Sequence, residues 1–168
     1  MGHHEHRAKG PESITVAVLS VSTTRSLAED TSGQWIAQRA VREGHQVVAH
    51  LVVTDAVTAI RETITRLLAD KAPQAVIITG GTGITPKDVT FEAVQPLFAK
   101  ELSAFGPIFA QLSYEEIDAA ALLSRATAGV IGQSLVFCLP GSLKACQLAC
   151  KNLIFPELGH MYGHVTEV

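Results

Sequence analysis

Residues 75–94 read AVIITGGTGITPKDVTFEAV, and this stretch decides the fold. Its first five residues, Ala75 to Thr79, are apolar and β-branched, the composition of a strand buried on both faces. Gly80, Gly81 and Gly83 then place three glycines in four positions. From Thr90 onward Phe91, Val94 and Leu97 recur at helical spacing. A strand, a glycine turn and a helix in succession form one unit of an α/β protein.

The same alternation extends in both directions. Residues 14–21 (ITVAVLSV) and 46–53 (QVVAHLVV) read as strands. Between them Asp30-Thr-Ser-Gly33 opens a helix that carries Trp35, Ile36, Ala40 and Val41 on one face and stops near Gly44. Asp55 closes the second strand and is placed to cap a helix over 57–69, where Ile60, Ile64, Leu67 and Leu68 fall at helical spacing. Pro73 breaks that helix. Downstream, 101–125 reads as mostly helical through Phe105, Ile108, Phe109 and Leu112. Two short strands, 127–131 and 135–139, are separated only by Gly132-Gln-Ser134, which predicts an antiparallel hairpin at one edge. Pro140-Gly141-Ser142 is a turn, and 144–158 reads as the last helix. Right-handed crossovers then give a three-layer α/β/α fold with a mostly parallel sheet and an antiparallel edge.

Composition narrows the function. The chain has 168 residues, so one domain over 13–168 is expected, preceded by a flexible polar tail over 1–12 bearing His3, His4 and His6. It is 47% hydrophobic and 17% charged, with a mean hydropathy of +0.25, which excludes intrinsic disorder. The low charge also points to apolar surface buried between subunits. Net charge is −3, with 13 Lys and Arg against 16 Asp and Glu and no basic cluster. That sets nucleic acid aside as a partner. No apolar run is long enough for a membrane span, and the polar start lacks a signal-peptide core, so a cytoplasmic protein is expected. Cys138, Cys146 and Cys150 are an odd set and read as small core residues.

In an open α/β sheet, ligands bind beyond the carboxyl ends of the strands. Four loops of unusual composition fall there: 22–30, the region of Asp55, the glycine loop, and Pro140-Gly141-Ser142. In Gly80-Gly81-Thr82-Gly83 the backbone can approach a ligand without Cβ clashes, and its N–H groups suit a phosphate, although a plain tight turn would look the same. Asp88 follows a few residues later. A carboxylate beside a phosphate calls for a bridging cation, usually Mg²⁺; the plainer reading is a helix-start residue favoured by the dipole. Asp55 is either a cap or a second carboxylate for the same metal–nucleotide complex, and the roles are compatible. His160-Met-Tyr-Gly-His164 has metal-compatible spacing but reads as a surface tail without further ligands. His45 and His50 have no evident partner.

These residues identify a resemblance. LSVS at 19–22, AEDTSG ending at Gly33, ITGGTGITPKDVTFEAV at 78–94, ELSAFG at 101–106, LSYEEI at 112–117, LLSRATAG at 122–129 and LPGSLKAC at 139–146 resemble the MoaB/MogA family of molybdenum-cofactor biosynthesis proteins, related to the gephyrin G domain. The resemblance covers about 14–158 and is nearest to the MoaB branch. It implies a molybdopterin-binding, MogA-like fold assembled as a trimer or hexamer. It implies adenylylation of molybdopterin by Mg-ATP ahead of molybdate insertion. Asp55 and Asp88 match the two essential acidic positions that handle metal and nucleotide. Gly80, Gly81, Thr82 and Gly83 match the phosphate loop, Ser124 and Arg125 the pair beside the pterin phosphate, and Pro140, Gly141 and Ser142 the second substrate loop. Glu101 borders the pocket. The alternative function is a catalytically silent molybdopterin binder or carrier, in contact with other proteins of the pathway.

Overall fold

The computed structural model describes residues 10–167. Six strands form one sheet in the order β2-β1-β3-β6-β5-β4. They are β1 (Thr15–Val21), β2 (Gln46–Val53), β3 (Ala75–Thr79), β4 (Lys100–Glu101), β5 (Thr127–Ile131) and β6 (Ser134–Leu139). β1 pairs in parallel with β2 and β3, and β3 with β6. β5 runs antiparallel to β6, and β4 to β5.

The strand sequences explain the layers. β3 and β6 are buried throughout and β1 nearly so. Alternate residues therefore enter two cores, because side chains switch face at every position. Val16, Val18, Ile77, Phe137 and Leu139 meet α1 (Thr31–Arg42), α4 (Phe105–Ile117), α5 (Leu143–Ala149) and α6 (Leu158–Thr166). Ala17, Leu19, Val76, Ile78, Val136 and Cys138 meet α2 (Val57–Lys71) and α3 (Thr90–Val94). Each large aliphatic side chain buried this way contributes about 1.5–3 kcal/mol. The three-layer fold, the largely parallel sheet and its antiparallel edge all match the sequence reading.

Four local expectations differ. The helix expected from 101 begins only at Phe105, because Glu101 joins Lys100 in a strand paired with Gly129 and Val130. Helix 144–158 is two pieces. α5 ends in a π turn over Cys150–Ile154, where Phe155 N–H donates to Cys150 O at 3.0 Å, and α6 starts afresh at Leu158. The segment expected to be a surface tail therefore continues as a helix, seated by Leu158, Met161, Tyr162 and Val165. Asp55 does not cap α2; its N-cap is Ala56, with no side-chain bond. Residues 1–9 of the expected tail lie outside the described residues. Gly10, its first described residue, packs so closely on Gly159 that a Cβ there would lie 2.2 Å from the Gly159 carbonyl oxygen.

Candidate functional site at the carboxyl edge

The four parallel strands end on one edge, and the loops after them meet. At the end of β3, Gly80 and Gly81 adopt φ of +95° and +67°. Both positions need glycine for space as well, since a Cβ on Gly80 would lie 2.4 Å from Val21 O and one on Gly81 2.4 Å from Thr90 Oγ1. Thr90 closes the loop: its hydroxyl donates to Gly80 O at 2.7 Å, and its N–H donates to Gly81 O at 2.9 Å.

The loop after β6 leans on the first. Gly141 is close enough that a Cβ would reach 3.3 Å from Gly80 Cα. Thr79 Oγ1 donates to Pro140 O at 3.0 Å, and Ser32 Oγ to Gly141 O at 2.9 Å. Ser142 caps α5 by accepting from Ala145 N–H at 3.2 Å. Cys146 sits beneath, buried, with its thiol pushed up to about 11 by that burial, so it stays protonated and inert. Gly80, Gly81, Pro140, Gly141 and Ser142 are thus one surface.

Arg125 holds the other half of the glycine loop. Its N–H donates to Thr82 O at 3.0 Å, its Nε to Gly83 O at 3.0 Å and its Nη2 to Asp88 O at 3.1 Å. Its guanidinium also pairs with the Glu92 carboxylate and lies 5.3 Å from the Phe91 ring centre. Much of its donor capacity therefore shapes the loop. Beside it, Thr82 Oγ1 and Ser124 Oγ are buried with no hydrogen-bond partner among the described residues. A buried hydroxyl left unpaired costs about 1–3 kcal/mol, so each calls for a partner from outside the chain, a water or a ligand.

Asp88 opens onto a cleft of about 400 Å³ lined with Ile84, Thr85, Pro86, Val89, Glu92 and Arg125. Its Oδ2 accepts from the Thr85 hydroxyl at 2.7 Å and the Thr85 N–H at 2.9 Å. The Thr85 hydroxyl, aided by backbone N–H groups and the Arg125 charge, holds the Asp88 carboxyl below the usual range against slight burial. Asp55 stands at the end of β2, where Thr23 Oγ1 donates to it. β2 and β3 flank β1, so their ends are about 10 Å apart by strand spacing. Glu101 lies on the outer strand, accepts from Thr127 Oγ1 at 3.4 Å, and lines cavities beside α4 and α6. It lines neither the Asp88 cleft nor the pocket at Gly80.

Sequence reasoning missed a buried network under this surface. Asp30 Oδ2 accepts from Ser20 Oγ at 2.5 Å and meets His50 Nε2 at 2.7 Å. Asp30 Oδ1 accepts from Gly33 N–H at 3.0 Å. Burial pushes the Asp30 carboxyl up, but the bonds from Ser20, Gly33 and His50 prevail and hold it below the usual range. Together with Arg25, Ser32, Thr79, Gly80 and Gly141 the network borders a narrow pocket of about 10 Å³, room for about one water molecule. The polar AEDTSG run was its only local signal. His45 is also partnered, accepting from Ile14 N–H at 3.4 Å and stacking on Phe155.

No group of three or more His, Cys, Asp or Glu that could hold a metal occurs among the described residues. Asp88 instead offers a hard carboxylate oxygen beside the glycine loop and Asp55 another at the neighbouring end of β2. Carboxylate oxygens of this kind, with substrate phosphates, are the donor type that Mg²⁺ takes.

A family profile described as "Probable molybdopterin binding domain" matches residues 17–160. Molybdenum cofactor biosynthesis protein B of Bacillus subtilis (strain 168) is 43% identical over 168 residues, 99% of each chain. A crystal structure of a molybdenum cofactor biosynthesis protein B superposes with a TM-score of 0.89 at 38% identity, covering 92% of this chain and 97% of that one. The tungsten cofactor synthesizing protein MoaB from Pyrococcus furiosus gives a TM-score of 0.81 at 36% identity, covering 94% and 99%. By sequence and fold, the chain belongs to the molybdopterin-binding-domain family, in its MoaB branch.

Proposed function

We propose that the protein acts in molybdenum-cofactor biosynthesis by adenylylating molybdopterin with Mg-ATP. A molybdopterin phosphate oxygen attacks the α-phosphorus of ATP, a phosphoanhydride forms, and the bond to the bridging oxygen breaks to release pyrophosphate. The observation that carries this reading is the pair of buried, unpartnered hydroxyls, Thr82 Oγ1 and Ser124 Oγ, beside the glycine loop. Two hydroxyl donors next to free loop geometry suit phosphate oxygens. Asp55 and Asp88 would hold Mg²⁺, which when bound neutralises triphosphate charge. The rest of the protein's work is positioning, as a reaction between two phosphates requires. Gly80 and Gly81 let the loop fold tightly over Val21 and Thr90, Arg125 fixes the loop, and Pro140-Gly141-Ser142 supplies the second wall.

The second reading is a silent molybdopterin binder, favoured by the commitment of Arg125 to Glu92 and to loop carbonyls. Release of pyrophosphate from Mg-ATP separates the two. Molybdopterin-dependent release that vanishes in Asp55→Ala supports the transferase. Molybdopterin binding without release establishes the carrier.

The same reading expects a homo-oligomer, trimer or hexamer. Ile108, Tyr114, Ile117, Leu122 and Leu123 are exposed, Leu122 by 83%, an apolar set suited to a subunit contact. A monomer in sedimentation at micromolar concentration would refute it.

A further inference from the structure

At the opposite edge of the sheet, α6 carries His160 and His164 one turn apart. Their Nε2 atoms face each other at 3.0 Å, with ring centres 4.8 Å apart. Each ring is held from behind: His160 Nδ1 meets Glu157 Oε2 at 2.9 Å, and His164 Nδ1 meets Glu167 Oε2 at 3.1 Å. An ionised carboxylate only accepts, so each Nδ1 carries its proton and donates. Both Nε2 atoms then face the same gap, which either one shared proton or a metal ion set off the line between them can fill.

We propose that His160 and His164 form a two-histidine site for a divalent transition-metal ion of the Zn²⁺, Ni²⁺ or Cu²⁺ class. Imidazole is the favoured ligand of these ions, and a carboxylate on the far nitrogen is the usual support of a metal-bound histidine. The spacing fits. With metal–nitrogen bonds of about 2.05 Å, two neighbouring ligands lie about 2.9 Å apart at a right angle and about 3.3 Å apart at the tetrahedral angle. The two side chains are 23% and 54% exposed, so solvent water completes the coordination. His164 also borders a cavity with Gly132 and Leu135 at the start of β6, the end of that strand remote from the glycine loop. The site is therefore independent of the transferase reading. A bound ion would staple the last helical turns, which begin where Gly10 meets Gly159.

Cu²⁺ and Zn²⁺ themselves are the probes. His3, His4 and His6 can chelate on their own account, so the test uses the full chain with those three changed to alanine. The expected result is one Cu²⁺ per chain with two-nitrogen hyperfine structure in its electron paramagnetic resonance spectrum. Affinity should fall roughly 100-fold in His164→Gln and roughly tenfold in Glu167→Gln, the range for losing a ligand's support or more. Zn²⁺ should raise the melting temperature of the parent and not of His164→Gln. His164 is exposed, so that variant keeps the fold. Equal Cu²⁺ affinity in parent and His164→Gln, or binding that disappears with the three tail histidines, would overturn the site and leave the pair sharing a proton only.

Discussion

Asp30 and Asp88 each lie in a loop after a strand that ends at the same edge, and hydrogen bonds hold both below the usual carboxylate range. Their surroundings differ. Asp30 has a side chain only 2% exposed and is enclosed by Ser20, Gly33 and His50. A Cβ on Gly33 would meet its Oδ2 at 2.0 Å, and the pocket it borders has room for about one water molecule. Asp88 is tied chiefly to its own neighbour Thr85 and faces an open cleft. Two carboxylates at comparable positions have thus been given opposite tasks, one joining three elements and one meeting what arrives from solvent. Fold energetics should follow the first and chemistry the second.

The largest effect is expected at the open carboxylate. Asp88→Asn keeps an acceptor for Thr85 but loses the charge that a metal–nucleotide complex requires. Molybdopterin-dependent pyrophosphate release should fall by about 10²–10³-fold, comparable to removing one preorganised electrostatic group, while the melting temperature changes little. Normal turnover in this variant would remove Asp88 from the proposed site.

Asp30→Ala should reverse that pattern. It leaves Ser20 O–H, Gly33 N–H and His50 without their acceptor and strips α1 of its cap, a loss of about 3 kcal/mol. In a chain of this length that is about 9 °C in melting temperature. Acid should expose the same group. The folded carboxyl lies below its unfolded value of about 3.9, so its contribution is complete above that pH and is lost as pH falls through the folded value. The melting-temperature gap between the parent and Asp30→Asn should therefore close progressively below about pH 4. A gap that is constant from pH 6 to pH 3 would show that the Asp30 charge does not matter.

The comparison also explains what the sequence could reveal. β1, β2, β3 and the β5–β6 hairpin were legible because continuous β-branched runs and glycine punctuation are local. Asp88 and the glycine loop were legible for the same reason. The Asp30–His50 pairing was not, since it joins residues from different elements that only the β1–β2 register brings together. Lys100 and Glu101 are a strand solely because β5 lies beside them. α6 did leave a signal. Leu158, Met161, Tyr162 and Val165 repeat at helical spacing, but Pro156 and the π turn before it break the periodicity that would have linked them to α5.

The smallest effect carries an unusual sign. Ser124 Oγ is buried and has no partner among the described residues, as is true of Thr82 Oγ1. Removing a hydrogen-bonded hydroxyl costs stability, but removing one whose desolvation is uncompensated relieves a penalty. Ser124→Ala should therefore leave the protein as stable as the parent or up to about 1 kcal/mol more stable, while weakening molybdopterin binding. Chemical denaturation and ligand titration on the same sample measure both. Loss of stability would mean that the hydroxyl already has a structural partner, as the Asp30 cluster does, and that this corner belongs to the sealed region of the molecule. Gained stability with weakened binding would place Ser124 with Asp88 on the side that solvent and substrate reach.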